Sequence, residues 1–270
     1  MLPTLIIAVV FGLIFGSFLN VCIARLPIAE SILRPRSRCP RCGHAISAFD
    51  NIPILSWLIL GRRCRHCRDP ISPVYPLVEL ALAAWFAACI ARFGISLDAL
   101  NLAVFGFFLI GLFVMDWQTQ ILPDEFTIGG AAAGLFICSV QAFMLPPDHL
   151  QVMLTGPEKM LALRLLAIFG AAALLALVRF LYKLIRHRHG MGLGDVKMLA
   201  LIAAFLGFQF SLLALFIGVV IAAAYGLHLL VFRSGSRSTR LPFGSFLALG
   251  GLVTALAGPQ ILAWYIALYR

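Results

Sequence analysis

Charge is what this sequence has least of. Asp, Glu, Lys and Arg together make up 12% of its 270 residues, and only 11 of them are acidic. A soluble domain of this length carries roughly twice that charged fraction. Hydrophobic residues account for 62% of the chain, and the mean hydropathy is +1.00. That balance excludes a soluble domain and makes the bilayer the solvent to reason in. Internal repeats and low-complexity tracts are also missing. So is a basic stretch ahead of the first apolar run, where the first positive charge is Arg25. No small-x-small cleavage site follows that run, so it is expected to be an uncleaved first helix and not a signal peptide. The seven cysteines, four of them in Cys-x-x-Cys pairs, lack the make-up of a secreted disulfide framework.

A bilayer core of about 30 Å needs roughly 20 apolar residues per helical crossing. Eight candidates satisfy or approach this: 4–24, 74–92, 98–116, 126–145, 160–182, 196–210, 211–232 and 243–267. The sixth is short and almost continuous with the seventh, so it reads as a half-span or as a helix starting inside a polar cavity. The expected fold class is therefore an all-α polytopic membrane protein of about eight transmembrane helices.

Net charge is +10, carried mostly by loops beside apolar runs, which argues for membrane topology and against nucleic-acid binding. Nine arginines fall in 25–73, the one long polar segment. Further clusters are Arg179, Lys183, Arg186, Arg188 and Lys197, then Arg233, Arg237 and Arg240. Only Arg92, Lys159, Arg164 and Arg270 of the 21 Lys and Arg lie in the alternate loops. The positive-inside rule puts the 25–73 segment and both clusters in the cytoplasm, with both termini outward. Residues 145–159, proline-bearing and of mixed polarity, read as the longest outer loop, and Ser234–Thr239 as a flexible inner one. The His187–His189 region reads as the end of a solvated basic loop. The expected division is 1–24 first transmembrane helix, 25–73 cytoplasmic four-cysteine zinc domain, and 74–270 transmembrane domain.

Within 25–73, Cys39-Pro-Arg-Cys42 precedes Cys64-Arg-His-Cys67, with 21 residues between the pairs. Two such knuckles can set four thiolates around Zn²⁺, leaving no open position, so the site is expected to be structural. Two disulfides or free thiols are the alternatives. A segment of 49 residues has little core of its own, and the metal would staple it. Cys22, Cys89 and Cys138 lie in apolar runs and read as core residues.

Acidic groups at membrane depth are costly and mark functional candidates. Asp116 ends the third span and is followed by Leu122-Pro123-Asp124. Gly192-Leu193-Gly194-Asp195 opens the sixth. The topology puts both Asp116 and Asp195 in the same cytoplasmic layer, where two carboxylates can share a proton and serve as acid and base. Gly192 and Gly194 clear side chains from beside Asp195, giving a substrate backbone room to approach. Bland readings stand beside these. A lone Asp at a helix end is often an interfacial residue or a cap, and Gly-x-Gly-Asp also arises by chance. Asp124 and Glu125 read as capping the fourth helix. Glu79, inside the second span, either pairs with an arginine or lines the cavity. Lys197 is either an interfacial anchor or a tuner of Asp195.

Taken together, these pieces resemble the bacterial type IV prepilin peptidases (prepilin leader peptidase/N-methyltransferases), within the GxGD membrane aspartyl proteases. The likeness runs nearly end to end. It includes Gly16-Ser17-Phe18-Leu19-Asn20-Val21 with Arg25-Leu26-Pro27, the two cysteine knuckles, Asp50-Asn51-Ile52-Pro53, Ile71-Ser72-Pro73 and Tyr75-Pro76-Leu77-Val78-Glu79. It continues through Asp116 with Leu122-Pro123-Asp124 to Gly192-Leu193-Gly194-Asp195-Val196-Lys197. The resemblance implies that Asp116 and Asp195 are the catalytic pair and that Asp124 is not. It implies an inner-membrane enzyme that cuts type IV prepilins and type II secretion pseudopilins after a glycine, removing a short basic leader. It further implies N-methylation of the new amine with S-adenosylmethionine, an activity linked to the cytoplasmic region between the first two spans. A peptidase without methyltransferase activity, a proton-coupled membrane transporter and an inactive pilus-assembly scaffold are the rival expectations.

Overall fold

The computed structural model describes residues 2–144, 150–187, 191–232 and 241–268, with the side chains of 150–157 left aside. The described residues are helical, with no strand beyond two isolated bridges. Nine helices are described: α1 (Leu2–Arg25), α2 (Leu55–Ile59), α3 (Val74–Phe93), α4 (Leu97–Thr119), α5 (Asp124–Met144), α6 (Leu150–Arg186), α7 (Leu193–Leu206), α8 (Phe208–Phe232) and α9 (Phe243–Ala267). Seven of them, all but α2 and α7, contain a stretch long and apolar enough to cross a membrane. The protein is an all-α, multi-pass membrane protein.

The sixth candidate, expected as a half-span or as a helix starting inside a polar cavity, is α7. At 14 residues it is about 21 Å long, short of the hydrocarbon core. Its residues are buried almost all round, from Val196 through Met198, Leu199, Leu201, Ile202, Ala203 and Ala204 to Phe205. It is an internal helix flanked by α5, α6, α8 and α9. Gly207, at φ +84°, breaks the chain between α7 and α8. The expected outer loop 145–159 is revised, because α6 already begins at Leu150. Residues 145–149, the Ser234–Thr239 loop, Arg188, His189, Arg233, Arg237, Arg240 and Arg270 lie outside the described residues.

The chain forms two compact units, one to Gly111 and one from Leu112. In the first, α1 packs on α3 through Gly12 and Gly16, a Gly-x-x-x-Gly pair that brings two backbones together. A Cβ on Gly16 would sit 2.7 Å from the Glu79 Cα, so no larger residue fits there. In the second unit α8 and α9 meet the same way, with Gly218 and Gly250 against each other's helix backbones.

Between α1 and α3 the chain buries almost nothing. From residue 25 to 73 only Arg25 and Cys39 are buried. Polar ties do the holding. Arg65 forks onto Asp50 at 2.6 and 2.9 Å, and its guanidinium keeps the Asp50 carboxyl below its usual range. The Trp57 indole N–H donates to the Ile71 carbonyl at 3.2 Å. Glu79 reaches up from α3 and accepts from the Ile54 backbone N–H at 2.8 Å, at the start of α2. Its partners are thus the Ile54 backbone N–H and the Ser17 side chain, and among the described residues no arginine pairs with it.

Candidate active site and metal centre

Four chain segments of the second unit build one polar cluster. Asp116 lies in the last turn of α4 and is 5% exposed. Its Oδ2 accepts from the Ser245 N–H at 2.7 Å and faces the Ser245 hydroxyl at 3.1 Å. Ser245 is the third residue of α9, so its N–H is one of the donors that a helix start leaves without an internal partner. A carboxylate is at home there, since the helix dipole puts partial positive charge at that end.

Asp195 is 8% exposed and occupies the third position of α7, where its Oδ2 accepts from the Gly192 N–H at 3.1 Å. This is one half of a capping box. Asp116 and Arg179 of α6 both lie within electrostatic reach of Asp195. The Leu122 side chain runs between the two helix starts. A Cβ on Gly194 would sit 2.9 Å from the Leu122 Cβ, and one on Gly244 would sit 3.0 Å from both the Leu122 Cδ1 and the Asp116 Cγ. Glycine at these two positions lets α7 and α9 close on Leu122 without displacing the carboxylate.

Lys197 does not contact Asp195. Its Nζ meets Asp124 Oδ1 at 2.6 Å, tying α7 to the first turn of α5, which holds Asp124 and Glu125. The far end of α7 carries the opposite charge, because Arg164 donates to the Phe205 carbonyl at 3.2 Å and to the Cys138 sulfur at 3.2 Å. A cation suits a helix C-terminus as a carboxylate suits the start.

Gly244 and Ser245 escaped the sequence reading. The signal was Pro242 followed by Gly244-Ser245 at the head of an apolar run, a helix-start pattern. Nothing in it named Asp116 as its partner, 129 positions away.

The cysteines of the first unit converge as well. The Sγ atoms of Cys39, Cys42, Cys64 and Cys67 all lie within 4.8 Å of one another. Each pair sits in a matching tight turn. Cys39 N–H donates to the His44 carbonyl and Cys64 N–H to that of Asp69, both at 2.9 Å. Gly43 and Arg68, each just after the second cysteine, both take positive φ. Tetrahedral zinc with Zn–S of about 2.3 Å requires sulfurs about 3.8 Å apart. Cys39 and Cys67 are separated by 3.8 Å. The N–H groups of Cys67 and His66 hold the Cys64 thiol down at about 7, while desolvation and the neighbouring Cys64, Cys42 and Cys39 thiols push Cys67 up to about 12. The donor set fits a divalent ion of zinc's size and softness, and the segment is zinc-ribbon-like. Cys22, Cys89 and Cys138 are buried, as expected.

Fold and site together define a multi-pass helical membrane protein with paired buried carboxylates at converging helix ends and a four-cysteine segment. Two family models match it: the Type IV leader peptidase family over residues 103–227 and the Bacterial Peptidase A24 N-terminal domain over residues 10–93. The chain belongs to the Type IV leader peptidase family. It is 35% identical to the prepilin leader peptidase/N-methyltransferase of Pseudomonas putida, over 95% of this chain and 92% of the relative. Similar proteins of the same name occur in Burkholderia pseudomallei (strain 1026b), 38% identical over 95% of this chain and 87% of the relative, and in Aeromonas hydrophila, 34% identical over 98% and 95%. No solved structure matches the chain at a significant level.

Proposed function

We propose that this protein is a bilayer-embedded aspartyl endopeptidase that removes the short basic leader of type IV prepilins or pseudopilins and then methylates the new N-terminus. The observation that carries the peptidase reading is the pair of buried carboxylates, Asp116 and Asp195, on separate helices of one unit and within electrostatic reach of each other. Neighbouring carboxylates in such surroundings divide the labour of acid and base. One takes a proton from water as its oxygen attacks the scissile carbonyl. The other, protonated, gives its proton to the carbonyl oxygen, and the first then passes the proton it took from water to the amine nitrogen as the C–N bond breaks, leaving the leader's carboxyl and the new N-terminal amine. Gly192, whose Cβ position has only Asp195 Oδ2 and the Gly194 nitrogen within 4 Å, keeps the approach to Asp195 open to an extended backbone, whereas the space expected beside Gly194 is filled by Leu122. The positive-inside pattern supports a cytoplasmic site at the inner membrane, where a basic leader would stay while the following apolar helix lies in the bilayer. A proton-coupled transporter is not favoured, because the relatives in hand carry an enzyme's name along almost their whole length.

The cysteine cluster would hold zinc through Cys39, Cys42, Cys64 and Cys67, and zinc there would brace the loop. Methyl transfer, after the name the relatives carry, calls for S-adenosylmethionine. The deciding experiment incubates detergent-purified protein with a purified prepilin, with and without S-adenosylmethionine, and weighs the product. Wild type should yield a mature chain, heavier by one methyl when donor is present. Asp116→Asn and Asp195→Asn should each abolish cleavage while inserting and melting like wild type. Retained cleavage in either variant excludes this pair.

A further inference from the structure

Arg25 and Arg36 line a cleft that has no part in the aspartate site. It lies wholly in the first unit, between the end of α1 and the loop beyond it, and has a volume of about 350 Å³. Ligand sites begin at about 300 Å³. Phe18, Val21 and Ile32 give it an apolar side, Ser37 and Asn51 give uncharged polar groups, and no carboxylate lines it.

The charges around it do not cancel. Residues 25–73 carry nine arginines and only three acids, Glu30, Asp50 and Asp69. Each acid is already paired, with Arg38 at 3.8 Å, Arg65 at 2.6 Å and Arg41 at 3.7 Å respectively. Arg25 is buried, and its terminal nitrogens donate to the Ser31 and Pro35 carbonyls at 2.8 Å each. Those bonds hold the loop as the far wall but leave the positive charge unmatched. Arg36 is exposed and makes no ion pair or hydrogen bond among the described residues. Two cations on an acid-free cleft call for an anion, and the guanidinium fork matches phosphate oxygens.

The apolar side says which anion. Ile14, Phe18, Val21 and Arg25 follow one another at helical spacing, so they form one stripe along α1. That helix is long and apolar enough to cross a membrane, and Ile14 and Phe18 are exposed on it. An acyl chain laid along the stripe brings its headgroup to the arginines, whereas a free phosphate leaves the stripe unused. We propose that this cleft binds the phosphate headgroup of an acidic phospholipid, with Arg36 on the phosphate oxygens, Arg25 adding its charge, and the lipid's glycerol and upper acyl carbons against Phe18 and Val21. Basic pockets beside membrane helices are suited to such headgroups. A lipid held there ties the loop after α1 to the bilayer surface.

The test uses the full-length protein in detergent, with phosphatidylglycerol and phosphatidylcholine as probes and native mass spectrometry to titrate each. Wild type should prefer phosphatidylglycerol by at least about tenfold, the worth of a charge-assisted contact. Arg36→Gln should lose most of that preference. Arg63→Gln, which removes the same charge from an exposed position outside the cleft, should keep it. Equal losses in the two variants would mean a diffuse basic surface and overturn the site, as would equal affinity of wild type for the two lipids. Glycerol phosphate that displaces phosphatidylglycerol at equal concentration would make this a site for soluble phosphates and overturn the lipid assignment. Should Arg36→Gln fail to fold, a photoactivatable phosphatidylglycerol decides on wild type. Its cross-links should fall within 18–21 and 32–37, and labelling confined to other segments refutes the proposal.

Discussion

Gly244→Ala is a one-carbon perturbation aimed at the position of Asp116. The added Cβ would lie 3.0 Å from the Asp116 Cγ and Oδ2 and 3.0 Å from the Leu122 Cδ1. Ordinary carbon contacts begin near 3.5 Å, so the carboxyl must retreat by about 0.5 Å. It is tethered against that retreat by the 2.7 Å bond from the Ser245 N–H, and Leu122 is pinned from its other side by Gly194. Overpacking of this kind costs about 1–3 kcal/mol. Replacing glycine by alanine within a helix returns about 0.5–1 kcal/mol, so the net loss of stability is small. Catalysis is less forgiving, since a displacement of about 1 Å costs about 10²-fold and half of that about tenfold. The assay is the cleavage rate on a prepilin peptide beside a melting curve. Gly129→Ala on α5 is the control, because nothing lies within 4 Å of its Cβ position. Expected are a tenfold or larger loss of rate for Gly244→Ala with little change in melting, and wild-type behaviour for Gly129→Ala. A Gly244→Ala protein that cleaves at the wild-type rate would refute either the seat of Asp116 against α9 or its role in the reaction.

Other perturbations separate holding from chemistry. Lys197→Met breaks the pair with Asp124, in which the two side chains are 34% and 60% exposed, so it should cost at most about 1 kcal/mol and shift melting by less than about 4 °C. The swap of Lys197→Asp with Asp124→Lys should restore it, and a large loss of cleavage in Lys197→Met alone would mean the lysine acts on Asp195 after all. Cys64→Ser should strip zinc from the protein by elemental analysis and open the loop to trypsin at Arg62 and Arg63. Wild-type metal content in that variant would rule out the four-thiolate site. Glu79→Ala leaves the Ile54 N–H without its acceptor, a loss of about 1–3 kcal/mol. It should appear as faster hydrogen exchange across 48–60, and Glu79→Gln, which keeps an acceptor oxygen, should show much less.

How far the sequence could be read depended on whether a feature is local. Long apolar runs declare themselves, and α9 runs over Phe243–Ala267, the same limits its hydropathy sets. The cysteine knuckles are equally local, each a four-residue spacing closed by its own turn. Short α7 was harder, because a run of apolar residues does not say whether lipid or protein surrounds it. Only packing shows that α5, α6, α8 and α9 do the surrounding. Arg164 looked like an outer-face charge by topology, and its role at the end of α7 depends on a fold that sequence alone does not supply. Glu79 has no arginine partner among the described residues, because it accepts from a backbone N–H that any residue but proline would present at position 54. Ser245 is the extreme case, since hydrogen bonds to a distant carboxylate leave no periodicity behind.

One physical pattern joins these pieces. Two helices of the second unit, α7 and α9, begin at the cluster, and each meets a buried carboxylate in its first turn: Asp195 on α7 and Asp116 against α9. Each helix start carries about half a positive charge and several N–H donors without internal partners. Buried acids in an apolar bundle would otherwise stand alone, with very few cations nearby, in a chain with 12% charged residues. Backbone dipoles take the place of salt bridges here, and they leave the carboxylates accessible to one another, where a full counter-charge would pin each in its ionised form. A scarcity of charge and a paired-acid site are thus compatible in one chain because the helices themselves provide the polarity.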